Sequence, residues 1–348
     1  MYLTVILILM RNIAVLSILV IMLFPLFSQE QSRNYGFSAG THLGFVYGQA
    51  FEYVYPTITK GEFLSELRYD MKPVFYLGFQ ADFSRIDLMS APGFFASLDF
   101  KIGIPGNTGG HQNRDWMDIE KAHLTHFSTH SNRTSSFYWL DAAIGASIPV
   151  KSIFYIKPFI SGSWMHFAFT GTGGKGTYAR KTGCSPECTM NTHINCKSNH
   201  YNDFTNYDSI KDNPHKYIFN GNVIRYQQDW LILAAGFSVG TNIISPFTFE
   251  LTFQISPLTN CTAIDEHLTT KVTYRDYSSW GLFLEPKGRI SFAIKNFDLS
   301  LETAYRYIGK TKGPSYNDYG NPGTFSQQGQ AGAGLSLMDV RFLASYRF

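Results

Sequence analysis

Two short stretches carry side chains able to move a proton: Asn113-Arg114-Asp115-Trp116-Met117-Asp118 and Asp265-Glu266-His267. In an extended backbone, residues i and i+2 face the same way. Asn113 then shares a face with Asp115, and Asp265 with His267. A carboxylate beside an imidazole fixes the ring's tautomer and raises its basicity. Such a pair activates water as a general base. Each stretch alone is also explained by the Asp and His that exposed loops carry for solubility. What decides is whether the fold brings the two together.

The elements that would position them read as strands. Aromatic residues make up 16% of the 348, with 21 Tyr and 30 Phe, and charged residues another 16%. The charged share is below the roughly 25% of an average soluble domain. Beyond residue 30 no apolar run is long enough for a membrane helix. Period-two alternation is plain instead. Phe297, Leu299, Leu301, Tyr305 and Tyr307 oppose Asp298, Ser300, Glu302 and Arg306; Met338, Val340, Phe342, Ala344, Tyr346 and Phe348 oppose Asp339, Arg341, Ser345 and Arg347. One face of a soluble β-sandwich would also alternate. Charges on the second face, and a terminal Tyr-Arg-Phe like the aromatic end of bacterial outer-membrane proteins, favour a barrel with a polar interior.

The alternation predicts ten strands over 35–55, 62–84, 93–109, 134–149, 153–174, 221–241, 246–264, 273–294, 296–310 and 331–348. Short and long connections alternate between them, as periplasmic turns and extracellular loops do. The expected fold is all-β: a ten-stranded antiparallel transmembrane up-and-down β-barrel over residues 30–348. Residues 1–29 read as a signal peptide, with Met1 or Met10 as the start and cleavage near Ser28 to Gln31. An N-terminal membrane anchor is the alternative. The net charge of +3 gives no reason to expect a nucleic-acid partner.

Of the four cysteines, Cys184, Cys188 and Cys196 share the longest predicted loop and Cys261 lies in a strand. In an exported chain disulfides are the expected state, with connectivity open. Cys184, Cys188, His193 and Cys196 are metal-ligand types, but their spacing fits no strong zinc pattern. No metal and no cofactor are expected.

The chain resembles the omptin family of outer-membrane endopeptidases along essentially its whole mature length. LGFVYGQAFEYVY (43–55) looks like the omptin first strand. QNRDWMD (112–118), FSTH (127–130) and DEH (265–267) followed by VTYR (272–275) resemble the family's acidic, Ser/His and Asp-His blocks, and GAGLSLMDVRFLASYRF its last strand. The resemblance implies a ten-stranded barrel extending above the membrane, cutting polypeptides beside basic residues with water and no acyl-enzyme. His267 would be the general base, oriented by Asp265, with Asp115 on the opposing wall. Glu52 would receive the substrate's basic side chain, and Ser128 and His130 would be accessory. The expected partners are polypeptide substrates and outer-membrane lipid, with the chain a monomer in the bacterial outer membrane.

Parity poses a condition. Phe247, Phe249, Leu251, Phe253 and Ile255 share the parity of Asp265 and His267. Unbroken alternation would aim the pair into lipid. A bulge near Pro257, or a strand end above the bilayer, must re-aim it.

Three departures stand out. Asn113 replaces one Asp of the family's pair, and an amide cannot take a proton from water. Ala263 stands where omptins carry a second pocket acid, which would weaken preference for Arg or Lys. Trp164 and His166 stand where the family binds lipopolysaccharide. A weak or inactive omptin-like barrel acting as an adhesin is therefore the competing reading, and a small porin a third. Ten strands leave little room for the pore of a porin. The purified protein is expected to show equal peptidase activity with and without lipopolysaccharide; an absolute requirement in that assay would overturn this.

Overall fold

The computed structural model describes residues 35–55, 64–85, 92–117, 123–150, 153–179, 209–211, 214–241, 246–321 and 323–348. The expected signal segment, and Cys184, Cys188 and Cys196, lie outside them. Thirteen strands are present among the described residues: β1 (Tyr35–Tyr55), β2 (Ser65–Arg85), β3 (Gly93–Gly103), β4 (Gly106–Asp115), β5 (His126–Val150), β6 (Phe154–Ala179), β7 (Pro214–Thr241), β8 (Phe247–His267), β9 (Val272–Ser279), β10 (Phe283–Ile294), β11 (Phe297–Ile308), β12 (Gly313–Asn317) and β13 (Ser326–Arg347).

They form one ring of ten staves, as the alternation led us to expect. Three staves are broken into two pieces. β2 pairs β3 along its lower half and β4 along its upper half, with the break at Ile104 and Pro105. Proline has no N–H to give the ladder. Likewise β8 pairs β10 below and β9 above, and β13 pairs β11 below and β12 above. All neighbours run antiparallel, and β13 closes the ring on β1. Closure leaves no sheet edge, which a bilayer requires because lipid offers no hydrogen-bond partner.

The belt is written in alternating exposure. On β8, Phe247, Phe249, Leu251, Phe253 and Ile255 face out, while Thr252, Gln254 and Ser256 are buried inside. Exposed aromatics ring both levels: Phe83, Phe94, Phe247, Phe297 and Tyr346 at the end holding the termini, Tyr47, Tyr138, Trp164, Tyr305 and Tyr307 at the other. Such girdles mark the two interfaces of a membrane barrel.

Inside the belt, charge is paired and space is filled. Lys101 Nζ sits 2.5 Å from Asp339, Arg306 binds Glu285 and Asp141, and Arg341 binds Asp99 and Glu302. Trp139, Trp230, Phe137, Phe167 and Met165 pack above them, all nearly inaccessible. A buried charge is tolerated when paired and hydrogen-bonded. A lumen so packed has no room for a water-filled channel among the described residues, which removes the support for a porin.

The strands outrun their sequence prediction at the upper end. The third stave reaches Asp115 rather than 109, β5 begins at His126 rather than 134, β7 at Pro214 rather than 221, and β8 ends at His267 rather than 264. Above the lipid, neither face must be apolar, so alternation fades while the backbone ladder continues. As a correction, Asn113 and Asp115, and Asp265 and His267, stand on strands rather than in the loops after them.

The required bulge is present. Leu233 pairs Leu258 and Ala235 pairs Ile255, so β8 holds one extra residue at Ser256–Pro257. The Ser256 hydroxyl donates to the Leu233 carbonyl and accepts from Leu258 N–H at 2.7 Å, capping the irregularity. Beyond it parity inverts: Thr259, Cys261, Ala263 and Asp265 are buried in the lumen, and Leu258 and Asn260 face out. Deleting Pro257 is expected to restore unbroken alternation. It should abolish peptide cleavage while heat-dependent electrophoretic mobility still reports a folded barrel. Retained cleavage by such a barrel would contradict the role given to the bulge.

Candidate active site

One wall of the upper lumen is built by β2, β4 and β5. Register sets Ser65 opposite Asp115, Leu67 opposite Asn113 and Tyr69 opposite His111. On the other side Ser128 pairs Asn113 and His130 pairs His111. Ser65 Oγ donates to Asp115 Oδ1 at 2.6 Å, and Asn113 Nδ2 to Asp115 Oδ2 at 3.3 Å. Both carboxylate oxygens are thereby held. Burial pushes the Asp115 carboxyl up to about 6, against those two hydrogen bonds and the charge of His267.

The opposite wall is the top of β8. Asp265 Oδ2 lies 2.7 Å from His267 Nε2. Asp265 is buried, while the His267 side chain is 37% exposed. Nε2–H donating to Asp265 leaves Nδ1 as the position for an incoming proton. Burial alone would lower the His267 pKa; the charge and hydrogen bond of Asp265, with the charge of Asp115, outweigh it and hold the pKa above its usual value. Tyr69, cross-strand from His111, stacks at 4.4 Å on Tyr226, cross-strand from Asp265, so the two rims stand at one end of the cylinder and face each other across the lumen. All these residues stand above the upper aromatic girdle.

The floor is aromatic and polar. Tyr69 stacks on His111 at 4.5 Å and on Tyr226 at 4.4 Å. Gln228 Nε2 reaches across from β7 to donate to the Phe51 carbonyl of β1 at 2.7 Å. Glu52 is 2% exposed, and Tyr69 donates to it at 3.4 Å. Burial, and the charges of Asp265 and Asp276, push Glu52 well above the usual carboxylate range.

Glu52, Asn113, Asp115, Ser128, His130, Ala263, Asp265 and His267 line this upper lumen, whereas Cys261 lies lower and Trp164 and His166 face outward. Ser128 and His130 are hydrogen-bonded at 2.9 Å, and His130 Nδ1 contacts the Gly173 carbonyl at 2.5 Å. Both are buried, unlike His267. Cys261 corrects an expectation: it is a free thiol, buried in the lumen face lower on β8. On the barrel's outer face Trp164 is exposed and His166 Nδ1 lies 2.8 Å from Asp229.

Three residues of the site were missed in the sequence. Ser65 precedes an alternating strand, and only its register reveals its contacts. His111 sits two residues before Asn113, a spacing that could have flagged it; both its ring nitrogens are buried without partners. Asp276 follows Tyr274 at the same i+2 spacing and is cross-strand from Ala263. Burial, against a Ser315 hydrogen bond and with the charge of Asp265, pushes Asp276 up to about 7. Among the described residues no cluster is arranged to hold a metal ion.

The profile of the Omptin family matches residues 33–348. Among solved structures, outer membrane protease OmpT from Escherichia coli aligns with a TM-score of 0.72 at 17% identity, covering 92% of this chain and 99% of that one. The translocator domain of autotransporter NalP from Neisseria meningitidis aligns at 0.33, with 10% identity and 97% of each chain covered. The Pseudomonas putida toluene transporter TodX aligns at 0.28, with 9% identity and 90% of each chain. The last two scores are too low to bear on fold or function. Comparison with curated proteins gave no match. The family and the first alignment together support a protease-type role. With its ten-stave ring, its lipid belt and a family match over the whole barrel, the chain belongs to the omptin family, as a β-barrel of the bacterial outer membrane.

Proposed function

We propose that the barrel is an endopeptidase that cleaves exposed polypeptides beside basic residues, using a water held between Asp115 and the Asp265–His267 dyad. One observation carries the reading: an accessible imidazole, hydrogen-bonded to a buried carboxylate, faces a second oriented carboxylate across the upper lumen. His267 Nδ1 takes the proton as the water oxygen attacks the scissile carbonyl. Asp265 stays ionised and stabilises the imidazolium. The same proton then passes to the leaving amine. Asp115 orients the water's second hydrogen.

Asn113 changes this wall in a defined way. Its amide donates to Asp115 and fixes that carboxylate, but it cannot share a proton with it. A second carboxylate there would couple to Asp115 and raise its proton affinity. The wall as it stands has one proton acceptor where the family has two, which also supports the weakly active, adhesin-like alternative. Ser128 and His130 form a nucleophile–base pair by distance, yet the His130 ring is held by the Gly173 carbonyl and not by a carboxylate, unlike His267.

Cleavage of a dibasic peptide by the refolded protein is expected to fall by about 100-fold or more in His267→Ala, the usual scale for a general base. Asn113→Asp is expected to raise turnover by about tenfold or more; no gain would count against the part given to this wall. His267 must be neutral to accept a proton, and its pKa is raised. Activity should therefore be lost as pH falls through a value above imidazole's ordinary one. Asp265→Asn removes the charge responsible, so its residual activity should persist to lower pH. A pH–rate profile with an unmoved acid limb would refute that assignment.

A further inference from the structure

Buried carboxylates within the belt have cationic partners. Asp339 has Lys101, Glu285 has Arg306 and Glu302 has Arg341. Glu52 and Asp276 have none among the described residues. Glu52 takes one long hydrogen bond from Tyr69, and Asp276, 3% exposed, takes one from Ser315. Asp276 Oδ1 is buried without a partner, and so is the neighbouring Asp265 Oδ1. Leaving a buried acceptor unpaired costs about 1–3 kcal/mol, more for a charge. A lumen that pairs the acids of its belt here holds two uncompensated ones, below the partly exposed His267.

The register explains why the second acid is at 276. The β8–β9 hairpin turns through 268–271, with Lys271 at φ 59° and its N–H bonded to the His267 carbonyl at 2.8 Å. That turn sets His267 against Val272 and hence Ala263 against Asp276. Cross-strand neighbours on one face have Cβ atoms about 5 Å apart, and like charges there repel. An acid at 263 and an acid at 276 would compete for one place, and the small Ala263 sets no second carboxylate against Asp276.

Resting on the endopeptidase reading above, we infer that Asp276 supplies, with Glu52, the pocket for the substrate's basic side chain, replacing from β9 the charge that Ala263 lacks on β8. The walls suit such a guest. Tyr69, Tyr226 and Ala263 offer apolar surface to the stem of an arginine, and the two carboxylates meet its planar head. The pocket thus keeps two acids, and preference for a basic residue is retained rather than weakened.

The test uses two fluorescent peptides identical except for arginine or its neutral isostere citrulline before the scissile bond. Binding is read by anisotropy with the full-length His267→Ala protein in detergent, and cleavage with the wild-type protein. Arginine should bind about tenfold or more tightly than citrulline, the scale of a charged hydrogen bond. Adding Asp276→Asn should erase that ratio, and adding Ala263→Asp to Asp276→Asn should restore it. Heat-dependent electrophoretic mobility reports whether each variant is folded. An unchanged ratio in Asp276→Asn, or equal loss for both peptides by a folded variant, overturns the inference. Arginine-selective binding by a wild-type protein that cleaves neither peptide would instead sink the hydrolase reading and leave the pocket standing.

Discussion

Lipid accepts no unpaired backbone N–H or C=O, and nearly everything in this molecule follows from that prohibition. A ring of strands satisfies it without edges, here as ten staves closed by β1 against β13. Once closed, the ring leaves each residue only two directions, lumen or lipid. A single extra residue at Ser256–Pro257 then decides the fate of ten positions above it, including Asp265 and His267. A defect in the ladder thus brings the dyad inside, and a hydroxyl from the same defect satisfies the groups it frees.

The lumen divides into two regimes along the axis. Within the belt, Arg341, Arg306 and Lys101 neutralise buried acids, and aromatic rings above them close the channel. Above the belt the pairing stops. Glu52, Asp115, Asp265 and Asp276 share space with imidazoles and no Lys or Arg partner among the described residues. Burial raises the proton affinities of Glu52, Asp115 and Asp276.

The belt was readable because lipid enforces alternation: β1 was anticipated at both ends, and the outward face of β8 residue by residue. The bulge was readable as a contradiction, since Phe253 and His267 share parity and cannot both obey it. Upper strand segments such as Gly106–Asp115 were not, because water on one side and protein on the other impose no period on GNTGGHQNRD. Asp276 was hidden for a different reason. Its partner Ala263 is thirteen positions away, and their meeting depends on a hairpin register that composition does not encode. Cys261 misled because exported cysteines usually pair, whereas this one faces a packed lumen.

The proposed direct attack by water would separate this site from one in which the nearby Ser128–His130 pair forms a covalent intermediate. Cleavage of a dibasic peptide in oxygen-18 water, with an amine nucleophile present in excess, reads that difference. A water held between Asp115 and His267 gives a new carboxylate carrying one oxygen-18 atom and no amide with the added amine. Appearance of the amide product, or of a serine-linked acyl protein in the mass spectrum, would contradict the mechanism.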